Sequence, residues 1–129
     1  MGRQKSNPLV DLQLQLRAFA RARDWDQFHA PKNLAMAMAS EVGELLEHFQ
    51  WVSLEESSML PLRTRVEVER ELADVFIYLI RIADKLDIDL LVAARKKIVE
   101  NARKYPVQVS RGSSKKYTHY KRRRRLRSK

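Results

Sequence analysis

The chain has 129 residues, 44% of them hydrophobic and 33% charged, which is enough for one domain with a modest core. It contains no cysteine, and this excludes disulfides, thiolate zinc sites and a cysteine nucleophile. Met1 to Pro8 lacks the apolar core of a signal peptide, and the apolar run Val75 to Ile80 is far shorter than the roughly 18 residues of a membrane span. We therefore expect an intracellular soluble protein with no membrane partner.

The formal net charge of +10 is concentrated near the C-terminus. Residues 1–100 hold 14 Lys and Arg against 16 Asp and Glu, whereas residues 101–129 hold 12 Lys and Arg and no acid. The cluster Lys121 to Lys129 is typical of a nuclear import signal or a nucleic-acid tether, and equally of a solvated tail. We expect the protein in the cytoplasm, or in the nucleus if that cluster binds an import receptor.

Apolar residues recur at helical spacing in four segments, which predicts an all-α protein. The predicted helices run from Leu9 to about Asp24, from about Lys32 to Gln50, from near Pro61 to about Lys85 and from Asp89 to about Lys104. The third is apolar on every side from Leu72 to Ile82 and is expected to be fully buried there, and the fourth is expected to turn Ile98 and Val99 inward. We expect a disordered N-terminus over 1–8, a helical domain over 9–106, and an extension over 107–129 that is disordered at least from Tyr120.

Two pairs of acidic residues are unusual in this pattern. Glu41 and Glu44 in the second helix, and Glu71 and Asp74 in the third, are three residues apart and so share a helix face. Each pair lies in or beside an apolar stripe. Two carboxylates ~4 Å apart repel by roughly 4 kcal/mol at an effective dielectric of about 20, so four acids facing one another need cations between them.

A divalent metal ion would supply that positive charge. Carboxylate oxygens suit Mg²⁺ or Mn²⁺, whereas a di-iron bundle would place His three residues after its inward Glu, and this chain does not. Mg²⁺ held by carboxylates commonly acts on phosphates, which indicates a metal-dependent hydrolase of phosphate esters or anhydrides. The alternative is that the acids are solvated or paired with Arg70, Arg81 or His48.

Other residues near these acids have both a functional and an ordinary interpretation. Tyr78 lies one turn after Asp74, so its hydroxyl shares the acidic face. Trp51, at the end of the second helix, either closes the core or stacks on a ring. His29, in the aromatic loop 25–31, likewise either packs against the core or contacts a substrate. Gly43 is expected to allow close helix approach.

The acidic motif resembles that of the all-α nucleoside triphosphate pyrophosphohydrolases, the MazG-like superfamily. The similarity is greatest to its dCTP pyrophosphatase branch and covers about Leu9 to Thr118. It is carried by RDWDQFHAPKN at 23–33, EVGEL at 41–45, FQW at 49–51, ELADVFIYL at 71–79, NARKYP at 101–106 and SSKKYT at 113–118.

The resemblance implies a four-helix MazG-like bundle, assembled as a dimer or tetramer, that converts dCTP and its cytosine-modified analogues to the monophosphate and pyrophosphate. This activity would remove modified deoxynucleotides from the nucleotide pool. A competing hypothesis is a non-enzymatic helical adaptor that binds nucleic acid through its basic tail.

The resemblance also implies a role for each site residue. Mg²⁺ would be bound, and catalysis carried out, by the acids Glu41, Glu44, Glu71 and Asp74. The resemblance does not say which glutamate orients the water. His29 and Trp51 would frame the base, and Tyr78 would line the pocket. Three residues near the C-terminus, Lys97, Asn101 and Tyr105, would serve the triphosphate or sugar; a solvated face is the alternative for the first two.

Overall fold

The computed structural model describes residues 7–121, which contain no β-strand. The α-helices are α1 (Pro8–Ala22), α2 (Pro31–Glu47), α3 (Leu62–Lys85), α4 (Leu90–Lys104) and the short α5 (Val107–Ser110), and residues 117–121 are again helical. Two short 3₁₀ turns, Asp26–Phe28 and Glu56–Ser58, lie in the connections on either side of α2. The four long helices match the predicted segments to within three residues at each end, so the all-α prediction is confirmed. The chain divides into two compact units, one ending at Ile88 and the other beginning at Asp89.

Local sequence signals place the helix ends. Asn7 caps α1 by accepting a hydrogen bond from the amide of Leu9 at 3.0 Å, and Asp89 caps α4 by accepting one from the amide of Val92 at 2.9 Å. Pro31 begins α2, where its missing N–H costs nothing. These residues therefore fix where each of the three helices begins.

The N-terminal unit is built on a hairpin of α2 and α3, and α1 packs against α3. Contacts along the pair show that it is antiparallel: His29, before α2, meets Arg81, and His48, after α2, meets Glu67. The small buried core of this unit consists of Ala20, Leu34, Val68, Ile80 and Ala83. The hairpin therefore brings the middle of α2 beside the middle of α3, where the two acidic pairs lie.

The prediction that α3 is buried all round is wrong for the single chain. Leu72 is 52% exposed and Phe76 45%, because α2 and α1 cover only one side of the helix within residues 7–88. In the C-terminal unit Ile98 is 67% exposed, so the prediction that it turns inward is also wrong for the single chain. Apolar side chains on α3 are thus left without a covering element in the described part of this unit.

The C-terminal unit comprises α4, α5 and the residues that follow as far as Lys121. Tyr120, where disorder was expected to begin, is buried, and its hydroxyl bonds the Ser113 hydroxyl at 3.0 Å. The rest of the expected tail, and residues 1–6, lie outside the described residues. Within residues 7–121 we find no helix of the length and apolarity that a bilayer crossing requires.

Candidate metal centre and nucleotide site

Three of the four predicted acids converge between α2 and α3. Glu41, Glu44 and Glu71 each offer one carboxylate oxygen, and these oxygens all lie within 4.8 Å of one another. The three-residue spacing aligns the first two on α2, and the antiparallel hairpin presents the third from α3. The expectation that Gly43 allows close helix approach is wrong, because a Cβ added at this position would meet nothing within 4 Å.

The electrostatics of this acidic cluster show uncompensated negative charge. Removal from water, and then the charge of Glu44, raise the pKa of Glu41 from 4.5 to about 7, and the nearby charge of Asp74 adds to the effect. In addition, Oε2 of Glu71 is buried and has no hydrogen-bond partner among residues 7–121. A buried carboxylate oxygen without a donor is costly unless a cation meets it.

The residues present fit a hard divalent cation. Carboxylate oxygens from three side chains, one of them buried and unpartnered, form the donor set that Mg²⁺ or Mn²⁺ prefers. The salt-bridge alternative is not what the described residues show: Arg81 bonds Asp26 and Asp84, and His48 is 3.8 Å from Glu67. Arg70 forms no ion pair with the cluster in the same part of the chain.

Asp74 and Tyr78 extend the cluster along α3. Asp74 lies outside the group of three within 4.8 Å, yet it is close enough for its charge to raise the pKa of Glu41. It is exposed and so is free to reach a bound ion or its waters. Tyr78 is half-buried one turn further on.

The aromatic loop lies at the other end of α2. Glu41 is ten residues beyond Pro31, which places it about 15 Å along the helix at about 1.5 Å per residue. His29 is half-buried and meets the Trp25 ring edge-on, with the ring centroids 6.5 Å apart. Trp51 is 88% exposed, so it does not close the core of the single chain.

Arg81 was not predicted as part of the site. Its side chain is only 4% exposed, and it reaches His29 as well as two acids. The sequence signal was available, since Arg81 is the one cation in an otherwise apolar stretch of α3 and has Asp84 three residues later. A buried cation of this kind requires partners, and one of those partners is a predicted substrate residue.

In the C-terminal unit two of the three predicted residues contact neighbouring side chains. Lys97 bonds Glu100 at 3.1 Å, Asn101 is exposed on the same helix, and the Tyr105 ring meets those of Tyr117 and Tyr120 edge-on. This unit also holds a cavity of about 480 Å³ that the sequence did not predict. It is lined by Glu100, Arg103, Lys104, Pro106, Gln108, Val109, Tyr117, Tyr120 and Lys121. Substrate roles for Lys97, Asn101 and Tyr105 stay predictions.

The fold and the acidic cluster define a class: an all-α protein with a cluster of carboxylates, fit for a divalent cation, between two antiparallel helices. The chain belongs to the MazG-like family, whose model matches residues 36–119. A solved structure of a pyrophosphatase from Archaeoglobus fulgidus is 40% identical, with a TM-score of 0.77 over 82% of this chain and 99% of that one. The MazG-like all-α fold predicted from the sequence is therefore confirmed.

Curated relatives are similar over most of the described chain. Proteins named dCTP pyrophosphatase 1 are 47% identical in Mus musculus, over 102 residues, and 46% identical in Homo sapiens, over 103 residues. Each alignment covers 78% of this chain. The chain spans about 60% of the length of these relatives.

Proposed function

We propose that this protein is a Mg²⁺-dependent pyrophosphohydrolase that converts dCTP and modified dCTP analogues to dCMP and pyrophosphate. The observation that carries the proposal is the cluster of Glu41, Glu44 and Glu71, with its buried unpartnered oxygen, in a chain of the MazG-like family. The substrate follows from the relatives named dCTP pyrophosphatase 1. Removal of modified nucleotides from the precursor pool is the cellular role that fits this reaction.

The acids have two proposed roles, binding of the cation and activation of the attacking water. Glu41, Glu44, Glu71 and Asp74 would hold Mg²⁺, or Mn²⁺ in its place, and the bound cation supplies positive charge against the substrate phosphates. One glutamate takes a proton from the attacking water, whose oxygen forms a bond to phosphorus as the bond between the α- and β-phosphates breaks. Pyrophosphate leaves, and the base returns its proton to solvent.

The predicted substrate contacts lie outside this cluster. His29 and Trp51 are proposed to frame the base, and Trp51 is available because its ring is 88% exposed. Tyr78, beside the acids on α3, is proposed to line the pocket. Donors for the triphosphate or sugar are proposed to be Lys97, Asn101 and Tyr105.

We further propose that the active form is a homo-oligomer, a dimer or a tetramer. Support comes from α3, where Leu72, Phe76 and Leu79 are 52%, 45% and 39% exposed in the single chain. Side chains of this size are rarely exposed in contiguous groups on a monomer. A second copy of the chain covering them would also complete the burial expected from the sequence.

The proposed compartment is the cytoplasm. Nuclear import, or binding of nucleic acid through the Lys121 to Lys129 cluster, stays a prediction that falls almost wholly outside the described residues. The adaptor hypothesis draws no support from the family or from the relatives.

Substitution of the acids tests the proposed reaction. Glu44→Gln and Asp74→Asn keep the shape of each side chain but remove its charge, and we expect each to lower dCTP turnover at saturating Mg²⁺ by at least about 100-fold. Glu47→Gln is the matched control, since Glu47 is an exposed acid on α2 outside the cluster. Wild-type turnover by either site variant would refute the assignment of these acids.

A further inference from the structure

The contact between Arg81 and His29 fixes where the imidazole carries its hydrogen. Nη2 of Arg81 lies 3.2 Å from Nδ1 of His29. A guanidinium group has only donors and stays protonated in proteins, so Nδ1 must accept this hydrogen bond. The neutral ring then carries its hydrogen on Nε2.

Arg81 is held in place by acids on both sides. Its Nη2 donates to Oδ1 of Asp26 at 3.0 Å, and its Nη1 donates to Oδ2 of Asp84 at 3.3 Å. Asp84 is fixed in turn by the side chains of Gln13 and Arg17 from α1, and the Arg17 Nε contact is 2.8 Å. The guanidinium therefore cannot turn away from His29 without breaking ion pairs in an almost buried site.

The charges around His29 favour its neutral form. Burial lowers the pKa of His29 from its usual value, and the charge of Arg81 lowers it further; Lys85 acts in the same direction and Asp26 opposes both. Protonation of Nδ1 would also place two N–H groups against each other. At neutral pH the ring is therefore uncharged, and its single acceptor, Nδ1, is occupied by the hydrogen bond from Arg81.

The other ring nitrogen is available to a ligand. No side chain among residues 7–121 forms a hydrogen bond with Nε2 of His29, and the ring is only half-buried. The Trp25 ring packs against it edge-on, with the ring centroids 6.5 Å apart. Nε2–H is therefore a donor of defined direction with no partner in the described chain.

We propose that Arg81 is a positioning residue, which fixes His29 as the Nε2–H tautomer and so presents one hydrogen-bond donor to an acceptor on the substrate base. The ligand class is a nucleobase with a hydrogen-bond acceptor on the edge that faces His29, and cytosine offers two such acceptors, O2 and N3. This inference rests on the proposed function in one respect, the placement of the base beside His29. Within residues 7–121 the side-chain partners of Arg81 are Asp26, Asp84 and His29, none of them in the acidic cluster, and we assign Arg81 no contact with the substrate.

The tautomer can be measured without any substrate. In long-range ¹H–¹⁵N spectra of histidine-labelled protein at pH 7.5, with the His29 signals assigned by their loss in His29→Gln, we expect a protonated Nε2 and an unprotonated Nδ1. A wild-type spectrum that shows the Nδ1–H tautomer or the imidazolium form would overturn the inference. This result stands whether or not the protein hydrolyses dCTP.

Variants separate positioning from stability. In Arg81→Met each acid keeps another partner, Lys85 for Asp26 and Arg17 for Asp84, so the fold is expected to survive. We expect this variant to show mixed His29 tautomers, whereas Arg17→Met, which weakens the same network without touching His29, should keep the wild-type pattern. Arg81→Lys retains a donor and should largely restore it. An unchanged tautomer in Arg81→Met would contradict the role given to Arg81.

Kinetics provide the functional readout. Partial loss of the aligned hydrogen bond to the base should raise the KM for dCTP about twofold to threefold in Arg81→Met, with kcat nearly unchanged because the acids are untouched. Arg17→Met should leave KM unchanged. A fall in kcat at constant KM would refute positioning through the base. Absence of dCTP turnover in the wild type would instead refute the proposed function and leave the tautomer result to decide the role of Arg81.

Discussion

Neutralising Glu41 should stabilise the protein when no metal is bound. Its carboxylate is crowded by those of Glu44 and Glu71, and in Glu41→Gln this repulsion is removed at nearly constant shape. The residue that we propose to bind the cation is therefore one whose charge lowers stability when no cation is bound. Most substitutions of partly buried residues act in the opposite direction.

The size of the effect follows from the structure in two ways. At 4.8 Å a pair of unit charges repels by about 3.5 kcal/mol at an effective dielectric of about 20. A rise in the pKa of Glu41 from 4.5 to about 7 corresponds to about 3 kcal/mol when the group is fully ionised. Since Glu44 is exposed and Glu41 only half-buried, water screens the interaction, and we expect a gain of about 1 to 2 kcal/mol.

The gain should depend on pH in a defined direction. A carboxyl group whose pKa is raised by folding contributes stability below pH 4.5 and loses that contribution as the pH rises through about 7. Glu41→Gln should therefore be close to wild type in stability at pH 4.5 and more stable at pH 8. Urea unfolding in a chelator at both values measures this, with the exposed Glu47→Gln as a control that should change stability by less than about 0.5 kcal/mol.

Mg²⁺ should reverse the order of stability. A ligand present at 100 times its Kd stabilises the folded state by about 2.7 kcal/mol, and this gain should appear in the wild type and be largely lost in Glu41→Gln. The reasoning fails if Glu41→Gln is less stable than the wild type in chelator at pH 8. It also fails if Mg²⁺ stabilises both proteins equally.

Three other features of the chain lead to testable outcomes. Asp84→Ala should lower the free energy of unfolding by about 3 kcal/mol, measured with urea, because it leaves the buried Arg81 without one partner. Because Arg17 holds the pKa of Asp84 below its usual value, the wild type should also lose stability as the pH falls below about 4, and a variant without this acid should lose less. Phe76→Glu should reduce the molecular mass in sedimentation measurements by charging an exposed apolar face, and an unchanged mass would place the oligomer contact elsewhere. Removal of residues 122–129 should leave dCTP turnover unchanged, whereas the adaptor hypothesis requires loss of salt-dependent nucleic-acid binding.

The acidic cluster could be predicted because its geometry is local. Residues three apart on a helix share a face whatever surrounds them. Antiparallel packing of α2 against α3 is then enough to bring Glu71 to Glu41 and Glu44. Helix ends were predictable for the same reason, since Asn7, Pro31 and Asp89 act on their own helices. Asp74 lies outside the group of three, although its charge acts on Glu41, so its assignment as a metal ligand stays a prediction.

Features that depend on distant packing were not predictable. The Arg81 and His29 contact joins residues 52 apart in sequence, and only the register of the hairpin brings them together. Apolar content alone predicted a buried α3, but it does not say whether the same chain or another copy covers Leu72 and Phe76. The effect expected of Gly43 failed because a missing Cβ matters only where a neighbour comes close, and none does.

The most direct test of the proposed activity is pyrophosphate release from a panel of nucleoside and deoxynucleoside triphosphates, with Mg²⁺ and with a chelator. We expect dCTP to be hydrolysed fastest, to dCMP and pyrophosphate, and the reaction to stop in the chelator. Release of no pyrophosphate from any triphosphate, or turnover that continues undiminished without a divalent cation, would contradict the assignment of the acidic cluster as a catalytic metal centre.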